Sequence, residues 1–335
     1  ANTMILNAEM RSEELKQRVI MDYFRPLHKD NDLEDRIETY SNTLLSLSEV
    51  HDSPLIFYNM FLVWAMRYEM NREYEALLEV CERAESYIVA NPQYYQEEKL
   101  IDFYIKKMSA YLHLGNYSKG QINAEQCLKQ FPEGSRPWFM FMEYYLLLAL
   151  HTDHHIQALA IYNQTVSNKR FIKQGAELRE RWKLFEAVIY FLLEPMGLAS
   201  RLIPIRKRET FVPEKFVDRS FYYGADQKKL TVLMLSMQVF YLVKSKRYNR
   251  ADELIGQLQN MANRNLHKEE YFRSIQFIRL LLLLRKANYQ KDELRNTEKY
   301  LARLQERPFT YRGVSSQFEP IPLERLWQIF VDRLE

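Results

Sequence analysis

Apolar residues recur at three- and four-residue spacing along most of the chain, in blocks parted by short polar turns, so the pattern predicts helices. The clearest block covers 101–132. Its first half places Phe103, Tyr104, Met108, Tyr111, Leu112 and Leu114 at a helical period. Gly115 follows where a helix ends in a left-handed residue, a conformation glycine adopts without a Cβ penalty. Tyr117 opens a second helix, and Gly120, Ala124 and Cys127 form a stripe of small residues on which two backbones can approach closely. Leu128 and Phe131 complete the apolar face, and Pro132 stops the helix. Two helices of this size cannot bury such faces alone, so the hairpin needs neighbours.

The same reading predicts helices over 12–24 and 31–49, with Ser12 as the N-cap of the first and Leu15, Val19 and Phe24 turned inward. Asp52-Ser53-Pro54 is a cap followed by proline, and opens a hairpin of 54–70 with 72–89. Further hairpins are expected at 136–151 with 154–168, 226–244 with 247–263, and 268–286 with 290–306. A long helix over 175–193 has no evident partner. The chain then loses its period across 197–224, and Pro204 and Pro213 mark that irregular stretch. It divides the molecule into N-terminal repeats (1–196), an irregular basic insertion or hinge (197–224) and C-terminal repeats (225–335). After an extended segment over 307–322, Leu323, Leu326, Trp327, Phe330, Val331 and Leu334 share one face of a last helix. That helix either caps the open end of the stack or docks into another subunit.

The hairpin over 101–132 resembles a tetratricopeptide repeat through Tyr111, the Gly115-Asn116-Tyr117 turn, the small Gly120 and Cys127, and the closing Pro132. Turn anchors at Tyr74, Tyr117, His155, Tyr248 and Tyr289 repeat the pattern more loosely. Leu77 stands where a small residue belongs, and Asp292, Asn296 and Lys299 fill such positions in the last hairpin. Neighbouring anchors lie about 38–43 residues apart except across one gap, against roughly 34 in genuine tetratricopeptide repeats. The C-terminal third, from Asp226 through Ile321-Pro322-Leu323 to Leu326-Trp327, is also similar to uncharacterised bacterial helical-repeat proteins. The resemblance implies an all-α, right-handed α-solenoid of antiparallel hairpins with a capping helix. It also implies a concave face, lined by the first helix of each hairpin, that holds a peptide or protein segment. On that face it places Asn59, Met66, Asp102, Ser109, His113, Glu143 and His151.

Composition supports a helical chain with ample core: 47% of the 335 residues are hydrophobic, and only 8 glycines and 11 prolines interrupt them. Cys81 and Cys127 fall on apolar faces, as free thiols of a reducing compartment do. No basic-then-apolar leader opens the sequence, and the longest apolar runs fall far short of the roughly 20 residues that span a bilayer. A cytoplasmic protein is expected. The net charge of +3 conceals an asymmetry. Residues 1–100 hold 10 basic and 19 acidic side chains, whereas 101–335 hold 37 and 25. The basic body either attracts an anionic partner or reflects solvated faces of differing composition.

Candidate chemistry is sparse. His151, His154 and His155 with Asp153 resemble a metal set, but they sit at a predicted turn without further ligands nearby, so no metal and no cofactor are expected. Gly115 to Gly120 has the outer spacing of a phosphate loop, but Gln121 and Ile122 stand where lysine and serine or threonine are required. Neither a nucleophilic triad nor a converging carboxylate pair is visible, and no enzyme is expected. Arg201, Arg206, Lys207 and Arg208, followed by Phe211, Phe216 and Phe221, form the one basic and aromatic run. It supports a second function, a nucleic-acid-associated or regulatory role through 201–229, beside the first, a protein-binding scaffold.

Overall fold

The computed structural model describes residues 2–24, 32–94, 98–196, 211–220, 227–264, 266, 269–313 and 318–334. Among these the regular structure is entirely helical, and successive helices pack on one another. The chain forms two compact units, Ala1–Leu148 and Ala149–Glu335. Their division falls inside a helix, well before the irregular stretch expected over 197–224, of which 211–220 lies within the described residues.

The first unit contains α1 (Asn2–Phe24), α2 (Leu33–Val50), α3 (Pro54–Met70), α4 (Tyr74–Ala90), α5 (Glu98–Leu114), α6 (Tyr117–Leu128) and most of α7 (Arg136–His151). Helix α3 begins as the sequence predicts: the Ser53 hydroxyl accepts from the Ile56 N–H, and Pro54 supplies the first helical φ. Ser12, expected as an N-cap, instead lies inside α1, with its hydroxyl donating to the Glu9 carbonyl at 2.8 Å. The helix starts a full ten residues earlier because Ala8, Ser12, Leu15, Val19 and Tyr23 make one continuous buried stripe. That stripe runs along α3 in the same chain direction, shown by pairs that ascend together. Ser53 donates to Glu9, Asn59 to Ser12, and Tyr23 to Glu69.

A single turn motif closes each hairpin. Arg72, Gly115, Asp153, Lys246 and Asn288 all adopt left-handed φ, between 49° and 63°. In every case the next residue donates its N–H to the carbonyl five residues back: Glu73 to Tyr68, Asn116 to Tyr111, His154 to Ala149, Arg247 to Leu242, and Tyr289 to Leu284. This Schellman geometry satisfies carbonyls that a helix end leaves unpaired. The second helix then begins at Tyr74, Tyr117, His155 and Tyr248, the predicted anchors. The fifth turn departs from the prediction. Tyr289 is itself left-handed (φ 63°) and so belongs to the turn rather than to the next helix. A short 3-10 turn at Lys291–Glu293 and a left-handed Asn296 then delay the next helix to Glu298, where 290 was expected.

Gly120 shows why the stripe of small residues matters. A Cβ built there would lie 2.3 Å from Leu148 Cδ2 and 3.1 Å from Tyr111 Cβ, so only glycine allows α6 this close.

The second unit contains the end of α7, α8 (His155–Ser167), α9 (Ala176–Leu193), α10 (Pro213–Val217), α11 (Lys228–Lys244), α12 (Tyr248–Arg264), α13 (Phe272–Lys286), α14 (Glu298–Glu306) and α15 (Leu323–Val331). The long helix α9, for which the sequence shows no evident partner, packs on the preceding α8 and on α11, where the Tyr241 hydroxyl donates to the Ala187 carbonyl at 2.7 Å. Gln238 of α11 donates to the Phe216 and Arg219 carbonyls, holding the end of α10. The apolar face of α15 packs within its own chain: Phe330 stacks on Phe240 at 3.9 Å, and Trp327 meets Phe277 edge-on. Arg273 ties this closing segment down. Its guanidinium donates to Glu319 at 2.8 and 2.9 Å, to Glu324 at 2.6 Å, and to the Leu304 and Arg307 carbonyls. Both cysteines are free and buried. Among the described residues no helix is long and apolar enough to cross a membrane.

Candidate functional site

The side chains expected to line a groove are placed mostly in helix seams. Asn59 is fully buried and donates to Ser12 Oγ at 3.0 Å and Glu13 Oε2 at 3.3 Å. Met66 and Glu143 are also buried. Ser109 is buried and donates to Glu69 Oε1 at 2.5 Å. Glu69 also accepts from Tyr23 at 2.7 Å and from Lys106, so α1, α3 and α5 meet in one buried polar network. Burial would raise the Glu69 pKa, but the Lys106 charge and the hydrogen bonds from Lys106, Ser109 and Tyr23 outweigh it, and the net shift is downward. The network is enclosed and its members are bonded to one another, so it fastens helices.

Three of the expected residues keep some exposure. Asp102 accepts from the Tyr58 hydroxyl at 2.5 Å. His113 stacks on Tyr74 with ring centroids 4.5 Å apart. His151, in the second unit, donates from Nε2 to the Glu319 carbonyl at 3.0 Å and packs on Phe309. Asn59, Asp102, Ser109 and His113 are thus each taken up by different neighbours, namely Ser12 and Glu13, Tyr58, Glu69, and Tyr74. Arg201, Arg206, Lys207 and Arg208 lie outside the described residues.

For Asn59 and Met66 the reason for burial lies in α3. The helix is apolar nearly all round and is packed by α1, α2, α4 and α5, so the flank chosen from the repeat pattern is a helix contact. What α3 leaves partly open is its other flank. There Trp64, Arg67 and Tyr68 meet Arg83 of α4 around a notch of about 250 Å³, bordered by Asn42 and Glu79. The Arg83 guanidinium lies 5.9 Å from the Trp64 ring centroid and 6.0 Å from that of Phe61, within cation–π range. Arg67 reaches Glu38 of α2 at 3.5 Å. Phe61 and Trp64 pack edge to face, which fixes the indole from below. A partly exposed tryptophan beside the Arg83 guanidinium, with Arg67 on the same notch, offers an apolar surface and two planar donors.

Among the described residues no three of histidine, cysteine, aspartate and glutamate gather to hold a metal ion. No protein-family model, curated protein or solved structure matches the chain. Sequence reasoning overlooked the notch because it followed the repeat pattern to one flank of α3. The signal available was residue type: Trp64, Arg67 and Tyr68 fall within five residues, in a helix otherwise almost free of charge.

Proposed function

We propose that the chain is a non-catalytic scaffold of tetratricopeptide-like hairpins, a right-handed solenoid working in the cytoplasm, which holds a protein segment. The docking site in this reading is the Trp64 notch of the first unit. The observation that carries it is the composition and packing of that notch. Tryptophan, tyrosine and arginine dominate the energetics of protein interfaces, above all where neighbours hold them in place. Here Trp64, Tyr68, Arg67 and Arg83 surround one depression. Three features support the scaffold part: hairpins that end in one recurring turn, helices that pack in succession, and ionic networks enclosed in helix seams.

Trp64→Ala tests the site. Truncating a central interface tryptophan costs about 2–4 kcal/mol, so a captured partner should bind roughly 30- to 1,000-fold more weakly, with the helical signal unchanged. Equal retention of the same partners by the folded variant would remove the notch from the account. The second reading, nucleic-acid binding through the basic segment, predicts instead a bound polyanion lost at high salt and indifferent to Trp64.

A further inference from the structure

The second unit holds a cleft that the docking reading does not use. It opens among the C-terminal ends of α9, α11, α13 and α15 and encloses about 520 Å³, within the size range of small-molecule sites. Its floor is apolar, from Phe191, Val243, Phe330 and Leu334. One wall is Tyr248, stacked on Tyr289 with centroids 4.9 Å apart and planes 12° from parallel. Two contacts fix these surfaces. The Tyr289 hydroxyl is bonded to Asp252, and Arg333 donates to the Phe191 and Leu192 carbonyls at the end of α9.

The rim decides what the cleft takes. Helix C-termini carry partial negative charge, which alone would disfavour an anion. Against this, Lys244, Lys246 and Arg333 border the opening with one carboxylate, Glu194. The unit as a whole holds 32 lysines and arginines against 21 aspartates and glutamates. Glu194 also shows which anion the rim accommodates, since its carboxylate pairs with Lys244. The two side chains are 45% and 47% exposed, so this pair is weakly held and exchangeable.

We propose that this cleft binds an aliphatic carboxylate of medium chain length, with its tail on the Phe191–Val243–Phe330–Leu334 floor and its head group taking the place of Glu194 on Lys244. The site lies in the other unit from the Trp64 notch and stands or falls independently of it.

The test is calorimetric titration of the full chain with sodium hexanoate, octanoate and decanoate, each below its micelle concentration, with decylamine as the charge control. Each added methylene should tighten binding about three- to fourfold, as burial of one methylene on an apolar floor does. Glu194→Gln removes the internal competitor and should tighten decanoate roughly two- to fivefold, the range a surface ion pair supports. Lys244→Glu with Lys246→Glu should weaken it more than about tenfold. These side chains are exposed, so circular dichroism melts should match the parent. Decylamine binding as tightly as decanoate would overturn the carboxylate assignment. Decanoate binding indifferent to all three substitutions would overturn the site, and so would no saturable binding by the unaltered chain.

Discussion

Removing the charge of Glu69 should loosen the first unit far more than its single side chain suggests. The carboxylate is fully buried and accepts from Lys106, Tyr23 and Ser109, which belong to α5, α1 and α5. Glu69→Gln keeps the volume but leaves the Lys106 ammonium, itself only 7% exposed, without a counter-charge. Breaking a buried pair from one side costs about 3–5 kcal/mol, and Lys106→Met should cost a similar amount from the other. Replacing both by methionine removes the stranded charge. The two hydroxyls then lose a partner, at about 1 kcal/mol each, so the double variant should lie within roughly 2 kcal/mol of the parent. Urea unfolding at pH 7 measures the totals, and hydrogen exchange of α1, α3 and α5 peptides locates the loss. The acid limb gives a second check. Glu69 titrates below its ordinary value of 4.5, so its contribution is complete above that pH and fades as pH falls through the lower folded value. The parent should therefore lose its advantage over Glu69→Gln in acid. A single variant costing under about 1 kcal/mol, or a double variant as unstable as both singles summed, would refute the reasoning.

Two further outcomes follow from backbone and packing. Gly120→Ala places a Cβ 2.3 Å from Leu148 and 3.1 Å from Tyr111, so overpacking of about 1–3 kcal/mol should outweigh the gain of roughly 1 kcal/mol in helix propensity. A melting temperature equal to or above the parent's would count against the close approach of α6. Arg72→Gly should act the other way, because the residue is held at φ 63° and a left-handed non-glycine costs roughly 1–2 kcal/mol. Thermal melts should show a gain of about 1 kcal/mol, and a loss would mean that the Arg72 side chain outweighs its backbone.

The turns were the most legible part of the chain, and the physical reason is local. A left-handed residue followed by an aromatic or histidine anchor is specified by a few neighbours, so Tyr74, Tyr117, His155 and Tyr248 stand where expected. Ser53-Pro54 is legible for the same reason. Tyr289 misled because Asn288 beside it also adopts a left-handed φ, and the sequence does not say which of two such residues ends the turn. Ser12 misled because its burial depends on Asn59, 47 residues away. Facing was harder still. A helix packed on nearly all sides, such as α3, carries no strong stripe, so nothing in its own pattern distinguishes the flank that touches α1 from the flank that carries Trp64. Of the partners of α9, α11 was illegible because it lies 35 residues on, beyond the stretch where the period fails.

The most direct test of the scaffold account is a photocrosslinking residue, benzoylphenylalanine, placed on the notch by Glu79→benzoylphenylalanine. The control is the same residue at exposed Gln257 of α12, in the other unit. After irradiation in lysate, the account predicts one discrete protein adduct from the notch position. That adduct should be absent from the control position and abolished when Trp64→Ala is combined with the notch label. Adducts that are the same at both positions, or that persist without the indole, would contradict it.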